Sequence, residues 1–358
     1  MHIPKLRKAL DAFPPYIPGK APQEIAGLVS YKISSNESYL PPLPSVIEAI
    51  TEAAATPARY PDTFGVELVG ALGVRLNLPT DHFIIGTGSS ELINSITQAT
   101  CDDGDEAIYA WPSFEMYPQV VGLAAAKAVE VPLTEEFRHD LPAMADAITE
   151  RTRLIFLCTP NNPTGPAIRS DELEEFLGKV PPSVIVVLDE AYLDFITDPD
   201  AADGLDFFAG RNNVVLLRTF SKAHGLAGMR IGFAVARPNV IEALTKTVIP
   251  FGVTSMSQKA ALASLRAEDE MRERVCSIVA ERNRVRGALL AQGWNVPDSQ
   301  ANFIWLPLGE LTDAFDAACR ARALSVRNLD VGVRCTIAEP EASDRLIEIA
   351  DEFRKENF

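Results

Sequence analysis

A chain of 358 residues, 47% hydrophobic and 23% charged, has the composition of an ordinary globular protein and exceeds what one hydrophobic core usually supports, so two packed lobes are expected. A formal net charge of −16 works against nucleic acid and anionic membrane surfaces, which need clustered Lys and Arg, while leaving room for a few focused arginines in a cleft. The five cysteines (Cys101, Cys158, Cys276, Cys319 and Cys335) show neither CxxC nor histidine-associated spacing and read as free thiols, so no metal is expected; with no long apolar stretch and no leader pattern, the cytoplasm is the expected compartment.

Residues 1–44 are rich in proline (FPPYIPGKAPQE, then YLPPLP) and predict an extended arm lying on the body of the protein or on a partner subunit. From Ser45, SVIEAITEAAAT has helical apolar spacing behind a serine able to cap it. Short apolar runs follow: HFIIGTG, DEAIYAW, AKAVEVPL, TRLIFLCTP, SVIVVLDEAY, NVVLLRTFS and RIGFAVA. Most are unbroken rather than alternating, as in strands covered on both faces. With helical segments such as ELINSITQAT and SDELEEFLGKV between them, residues 45–250 predict a large α/β lobe with a mainly parallel seven-stranded sheet. Beyond Phe251, QKAALASLRAEDEMRERVCSIVAERNRVRGALLAQG predicts one long helix with Gly293 in the C-cap position. The strands ANFIWLPL, LSVRNL and VGVRCTIA then make residues 251–358 a smaller α+β lobe.

Five segments carry chemistry. In RTFSKAHGLAGMRIG, Lys222 is a solvated surface lysine or a nucleophile, and its company favours the second: Ser221 and Arg230 offer the hydroxyl and guanidinium that hold a phosphate. A lysine beside a phosphate clamp is what a phosphorylated aldehyde cofactor requires. CTPNNPTGP lies at the carboxyl end of a strand, where open α/β sheets place ligands; it is an ordinary turn, or it presents Asn162 to a ring oxygen. In VIVVLDEAYLDF, Asp189 ends an apolar run, so it caps the next helix or meets a cation such as a protonated pyridine nitrogen, keeping the ring an electron sink. IIGTGSSELINS reads strand, Gly-x-Gly-Ser-Ser, helix, and offers free N–H groups to an anion; a dinucleotide site would need a third glycine. In WPSFEMYP, Phe114 packs in the core or stacks on a heterocycle.

Taken in order, these segments resemble the fold-type I, class II aminotransferases that use pyridoxal 5′-phosphate. Within them the chain is most similar to the histidinol-phosphate aminotransferase family and its aromatic amino acid (phenylalanine) aminotransferase branch. The resemblance spans nearly the whole chain: YIPGK, SSNES, ARYPD, GTGSSE, WPSFEMYP, PNNPTG, DEAY, RTFSKAHGLAGMRIG, SQANFIWLPLG and VGVRCTIAEPE. It implies an aspartate aminotransferase-like fold and a homodimer with shared active sites. It further implies that Lys222 carries the cofactor as a Schiff base and shuttles a proton between the substrate α-carbon and C4′. Asp189 would pair with the pyridine nitrogen, Asn162 and Tyr192 with the phenolic oxygen, and Phe114 would stack on the ring. Ser89, Ser90, Ser221 and Arg230 would hold the phosphate, joined by Tyr60 reaching across from a second subunit. Arg334 would grip the substrate α-carboxylate, with Asn36 nearby.

The implied reaction is ping-pong transfer between aromatic L-amino acids and 2-oxoglutarate. The branch is suggested by YIPGK, by SSNES in place of NENP, by IPFGVTSMSQKAALASL and by ANFIWLPLG. The alternative substrate is histidinol phosphate, whose second phosphate would take Tyr16, Arg327 and Arg322; a remoter alternative is a decarboxylase on the same fold. A cofactor-binding regulator fused to a DNA-binding domain is disfavoured by the acidic balance and the lack of an added helix-turn-helix segment. His224, where the family has an aromatic residue, and Ala338, where it commonly has glycine, depart from the pattern.

Overall fold

In the computed structural model, which describes residues 4–13 and 15–358, the seven apolar runs form a single sheet. β1 (Tyr31–Lys32) belongs to the arm, and the sheet comprises β2 (Phe83–Gly86), β3 (Glu106–Trp111), β4 (Lys127–Pro132), β5 (Thr152–Cys158), β6 (Ile185–Asp189), β7 (Val214–Thr219) and β8 (Gly232–Val235). Their order is β2-β8-β7-β6-β5-β3-β4, parallel except for β8, which runs against both β2 and β7. Successive residues point to opposite faces. Ile108, Ile155, Val186 and Leu216 enter one core, and Tyr109, Phe156, Val187 and Leu217 enter another. Both faces being covered, the middles of these central strands are apolar, whereas the edge strand β4 is largely exposed and carries Lys127 and Glu130.

The small lobe is built on β9 (Phe303–Leu306), β10 (Leu324–Ser325), β11 (Arg327–Asn328) and β12 (Val333–Thr336). The order β11-β12-β9 is antiparallel, and β10 pairs in parallel with β1, so the arm supplies a strand to this lobe. Earlier along the arm, Arg7 Nη2 donates to the Leu123 carbonyl at 2.9 Å, and Lys20 O accepts from Ser325 Oγ at 2.6 Å. The described arm residues thus lie on their own chain and cross from the large lobe to the small one.

Two helices differ from expectation. The first, Pro44–Ala54, has Leu43 at its N-cap and proline in its first turn, so Ser45 is not the cap; proline's fixed φ and missing N–H suit that place. The predicted long helix is two, Ser255–Arg266 and Glu268–Ala291, broken at Ala267 (φ −98, ψ 40). Glu268, Asp269 and Glu270 fill the first turn of the second helix, where carboxylates complement exposed N–H groups, and Glu268 is held by Arg75 and Arg272. Ala260, Ala261 and Leu262 of the first helix pack into the large-lobe core, whereas Met271, Val275 and Ile278 of the second enter the small-lobe core. Core membership therefore changes at the Ala267 break, while the predicted 250/251 boundary falls in the loop before Ser255. The second helix is capped by Gln292, one residue before the expected Gly293, which takes the left-handed turn beyond the cap at φ +91.

Candidate active site

A cavity of about 340 Å³ lies at the carboxyl ends of the parallel strands and is lined on its other side by the arm and the small lobe. This is where an open α/β sheet gathers its loops. β3 leads to Phe114 and Glu115, and β5 to Asn162. β6 ends in Asp189 and leads to Tyr192, while β7 leads to Ser221 and Lys222. β2 leads to Ser89 and Ser90 at the start of helix Ser89–Thr100. The arm brings Tyr16 and Asn36, and β11 and β12 bring Arg327 and Arg334. With Arg230, every predicted site residue except Tyr60 and Arg322 lines this one cavity.

Burial, seconded by Arg334, brings the Lys222 ammonium down to about 7. Its Nζ reaches only the Ser35 carbonyl at 3.4 Å and stands 5.8 Å from the centre of the Tyr192 ring. Burial pushes the Asp189 carboxyl up to about 6, against the opposing effect of the Tyr117 hydroxyl, which donates to Oδ2 at 2.9 Å. Asp189 Oδ1 is buried with no hydrogen-bond partner. A bare acceptor in a closed interior costs free energy that a ligand's donor would recover. The short turn after β6, Leu193–Phe195, has Tyr192 at its N-cap, so Asp189 does not cap it.

Opposite these groups is an anion cup. Gly88, at φ +85, precedes helix Ser89–Thr100, and a Cβ there would meet Arg230 Nη2 at 2.5 Å. A Cβ on Gly232 would stand 2.8 Å from the Ser89 nitrogen. These two glycines let the helix N-terminus, Ser221 and Arg230 converge. Arg230 is itself left-handed (φ 51); Nη1 donates to Ala227 O at 3.0 Å and to Ser221 Oγ at 3.5 Å, and Nη2 to Thr87 O at 3.2 Å. Among the described residues no carboxylate pairs with it, so its charge is available to a ligand's phosphate.

On the small-lobe side, Arg334 Nη1 donates to Asn162 Oδ1 at 2.5 Å and Nη2 to Ser34 O at 2.8 Å, while Nε has no partner. All its partners are neutral, so this buried cation keeps its charge for an incoming carboxylate. Arg327 instead makes a bidentate pair with Glu115, Nη2–Oε1 at 2.5 Å and Nε–Oε2 at 3.2 Å. Asn36, left-handed at φ 53, donates from Nδ2 to Tyr192 Oη at 2.8 Å and accepts at Oδ1 from Thr336 Oγ1 at 3.0 Å. Burial pushes the Tyr192 phenol well above its ordinary value, so it stays a neutral hydroxyl. With its oxygen accepting from Asn36, its proton is left to donate into the cavity.

Tyr60 is 82% exposed and stacks on Phe251 with ring centres 4.6 Å apart, outside the cavity of its own chain. Arg322 is also outside, paired with Glu348 and Glu352 along helix Pro340–Asn357. His224 bonds Ser264 Oγ at 2.7 Å and packs on Phe220, and neither it nor Ala338 lines the cavity. Sequence reasoning missed Glu115, Tyr117 and Thr336. The first two fall inside the WPSFEMYP segment quoted for Phe114, but their partners lie 212 and 72 residues away, where no local pattern reports them.

The family model described as aminotransferase class I and II matches residues 30–345. An aromatic amino acid aminotransferase of Streptomyces coelicolor is 54% identical over 354 residues, covering 99% of this chain and 98% of that protein. One of Thermobifida fusca is 50% identical over 355 residues with the same coverage of each. Among solved structures, histidinol-phosphate aminotransferase from Sinorhizobium meliloti in complex with pyridoxal-5′-phosphate matches with a TM-score of 0.87 at 25% identity over 99% of both chains. A double mutant of Thermus thermophilus aspartate aminotransferase shares the fold, with a TM-score of 0.82 at 22% identity over 99% of this chain and 100% of that one. Matched from end to end by such relatives, and over most of its length by the family model, this chain belongs to the class I and II aminotransferases, a family that works with pyridoxal phosphate.

Proposed function

We propose that this protein moves amino groups between aromatic L-amino acids and 2-oxoglutarate. The observation that carries this is one cavity holding a half-buried amine, a bare carboxylate oxygen, an anion cup and two arginines. The residues fit pyridoxal phosphate: Asp189 Oδ1 lacks the donor that a protonated ring nitrogen supplies, and Gly88 and Gly232 keep the cup open where any side chain would fill it. When bound, the cofactor supplies an aldehyde that condenses with amines and a ring that takes up the electron pair released at the substrate α-carbon.

The chain's own residues do the rest. Lys222, an amine whose charge burial disfavours, would hold the cofactor through its Nζ and would take and return the α-proton. Asp189 would hold the ring nitrogen charged, while Ser89, Ser90, Ser221 and Arg230 would hold the phosphate. Tyr192 and the amide nitrogen of Asn162 would donate to the phenolic oxygen, and Phe114 would cover the ring. Arg334 takes the α-carboxylate through a guanidinium already aligned by Asn162 and Ser34.

An aromatic substrate is favoured over histidinol phosphate because Arg322 is held outside the cavity by two surface glutamates, and Arg327 is charge-matched by the single carboxylate of Glu115, which a phosphate dianion would exceed. The names of the relatives at 50% and 54% identity support the same choice. The exposed Tyr60 supports a homodimer in which it completes the cup of the other subunit, since its ring is fixed on Phe251 but serves nothing in its own cavity. The five unpaired cysteines support a reducing compartment, the cytoplasm; among the described residues no helix is long and apolar enough to cross a membrane.

The test is purified protein given L-phenylalanine and 2-oxoglutarate, which is expected to yield phenylpyruvate and glutamate. A better kcat/KM with imidazole-acetol phosphate and glutamate would reverse the substrate ranking. Carbon dioxide release in place of an oxo acid would make the protein a decarboxylase.

A further inference from the structure

Four cationic side chains line the cavity: Lys222, Arg230, Arg327 and Arg334. On the reading given above, the first two serve the cofactor and Arg334 takes the α-carboxylate that every substrate carries. Glutamate and 2-oxoglutarate bring a second carboxylate, and Arg327 is the one cation left for it. Yet Arg327, whose side chain is 7% exposed, is already neutralised by Glu115.

We propose that Glu115 is a resident stand-in for the substrate's second carboxylate, holding Arg327 while an aromatic side chain occupies the cavity and yielding it to glutamate or 2-oxoglutarate. This rests on the dual-substrate reading above and deepens it. Arg327 and Arg334 are direct cross-strand partners in the β11–β12 ladder, so two like charges face one cavity and repel unless one is matched. An aromatic ring matches neither, and leaving Arg327 buried and unpaired beneath it would be costly. Glu115 removes that cost, leaving the guanidinium carbon 5.8 Å from the centre of the Tyr16 ring, an apolar surface beside which a second ring can lie.

The exchange is open to Glu115 because of where it sits. It is the N-cap of helix Met116–Leu123, with no side-chain capping bond to hold it there, and its side chain is 27% exposed. Released from Arg327, the carboxylate regains water, so one carboxylate replaces another and the charge in the cavity is unchanged. A phosphate dianion in the same place would leave a surplus negative charge.

The experiment compares holoenzyme with its Glu115→Gln and Glu115→Asp variants, measuring calorimetric dissociation constants for glutarate, a dicarboxylate, and 3-phenylpropionate, an aromatic monocarboxylate. Glu115→Gln, near-isosteric and uncharged, is expected to bind glutarate about tenfold tighter and 3-phenylpropionate several-fold weaker, as removal of one partner of a close charge pair implies. KM for 2-oxoglutarate and phenylpyruvate should diverge in the same sense with kcat less affected, and Glu115→Asp should keep the wild-type ranking. Glu348→Gln, which removes an equal charge from the surface pair with Arg322, should change neither constant. Equal shifts for both probes would reduce the pair to a latch between the lobes, and no shift would make it idle; either result overturns the proposal alone. Wild-type enzyme that fails to transaminate phenylalanine with 2-oxoglutarate overturns the underlying reading as well.

Discussion

Tyr117 donates its hydroxyl to Asp189 Oδ2 at 2.9 Å and so fixes the carboxylate while leaving Oδ1 bare. Tyr117 itself is fully buried, stacked on Phe156 with ring centres 4.6 Å apart, so it is a rigid support for that carboxylate.

The strain of an unmatched carboxylate has a measurable consequence in cofactor-free protein. The folded chain holds the Asp189 proton to about 6, against 3.8 as the ordinary value, so the folded state binds that proton more tightly than the unfolded chain does. The associated stability is full below the ordinary value and is lost as pH rises through about 6. Asp189→Asn should therefore stabilise the cofactor-free protein at neutral pH by on the order of 3 kcal/mol, an advantage that vanishes in acid. The same variant should lose roughly 10²–10³ in kcat, because an amide cannot hold the ring nitrogen charged. Thermal melts across pH, paired with turnover, check both halves.

Lys222 gives the opposite sign. Its ammonium is depressed from 10.5 to about 7, so its contribution to stability is present above the ordinary value and is lost as pH falls through about 7. Capture of pyridoxal phosphate by cofactor-free protein should speed up with pH around a midpoint near 7, since only the neutral amine attacks. Arg334→Met removes the second cause of the depression and should move that midpoint upward. Stopped-flow absorbance reads it directly, and a midpoint at the ordinary lysine value would contradict the burial described here.

What could be read from the residues, and what could not, follows from the range of each interaction. VIVVLD announced a carboxylate at the end of a buried strand because a strand covered on both faces must be apolar along its length. Gly88 and Lys222 were legible for a similar reason: each sits in a local strand–turn signature. The break at Ala267 was hidden, since no glycine or proline interrupts the helical pattern and only the acidic run Glu268–Glu270 marks a new start. Glu115 was hidden differently. It reads as a polar residue beside an aromatic one, and its meaning comes from Arg327, 212 residues onward, which the small lobe folds against it.

Arg334→Lys should raise KM for every substrate while changing kcat less. An ammonium cannot reproduce the planar fork that Asn162 and Ser34 align, and loss of a buried carboxylate contact costs roughly 2–5 kcal/mol. Steady-state kinetics with phenylalanine, glutamate and 2-oxoglutarate provide the check; a rise confined to one substrate would argue against a shared α-carboxylate site.

Gly88→Ala should weaken cofactor binding at least about tenfold, because the added Cβ carries a strain of about 1–3 kcal/mol at a positive φ and also displaces the Arg230 guanidinium. Equilibrium titration with pyridoxal phosphate measures this, and unchanged affinity would place the phosphate elsewhere.

Subunit mixing tests the place of Tyr60. Lys222→Ala and Tyr60→Ala chains, unfolded together and reassembled, should regain activity beyond that of either parent. In the mixed dimer one cavity combines an intact Lys222 with an intact Tyr60 from the neighbouring chain. No recovery would confine Tyr60 to a surface role beside Phe251.

The central claim is that the Lys222 amine carries the cofactor. Borohydride reduction of the protein with pyridoxal phosphate, followed by proteolysis and mass spectrometry, should leave the label on the peptide containing Lys222, and Lys222→Ala should remain folded, unlabelled there and inactive. Label on a different lysine, or wild-type turnover by Lys222→Ala, would contradict the account.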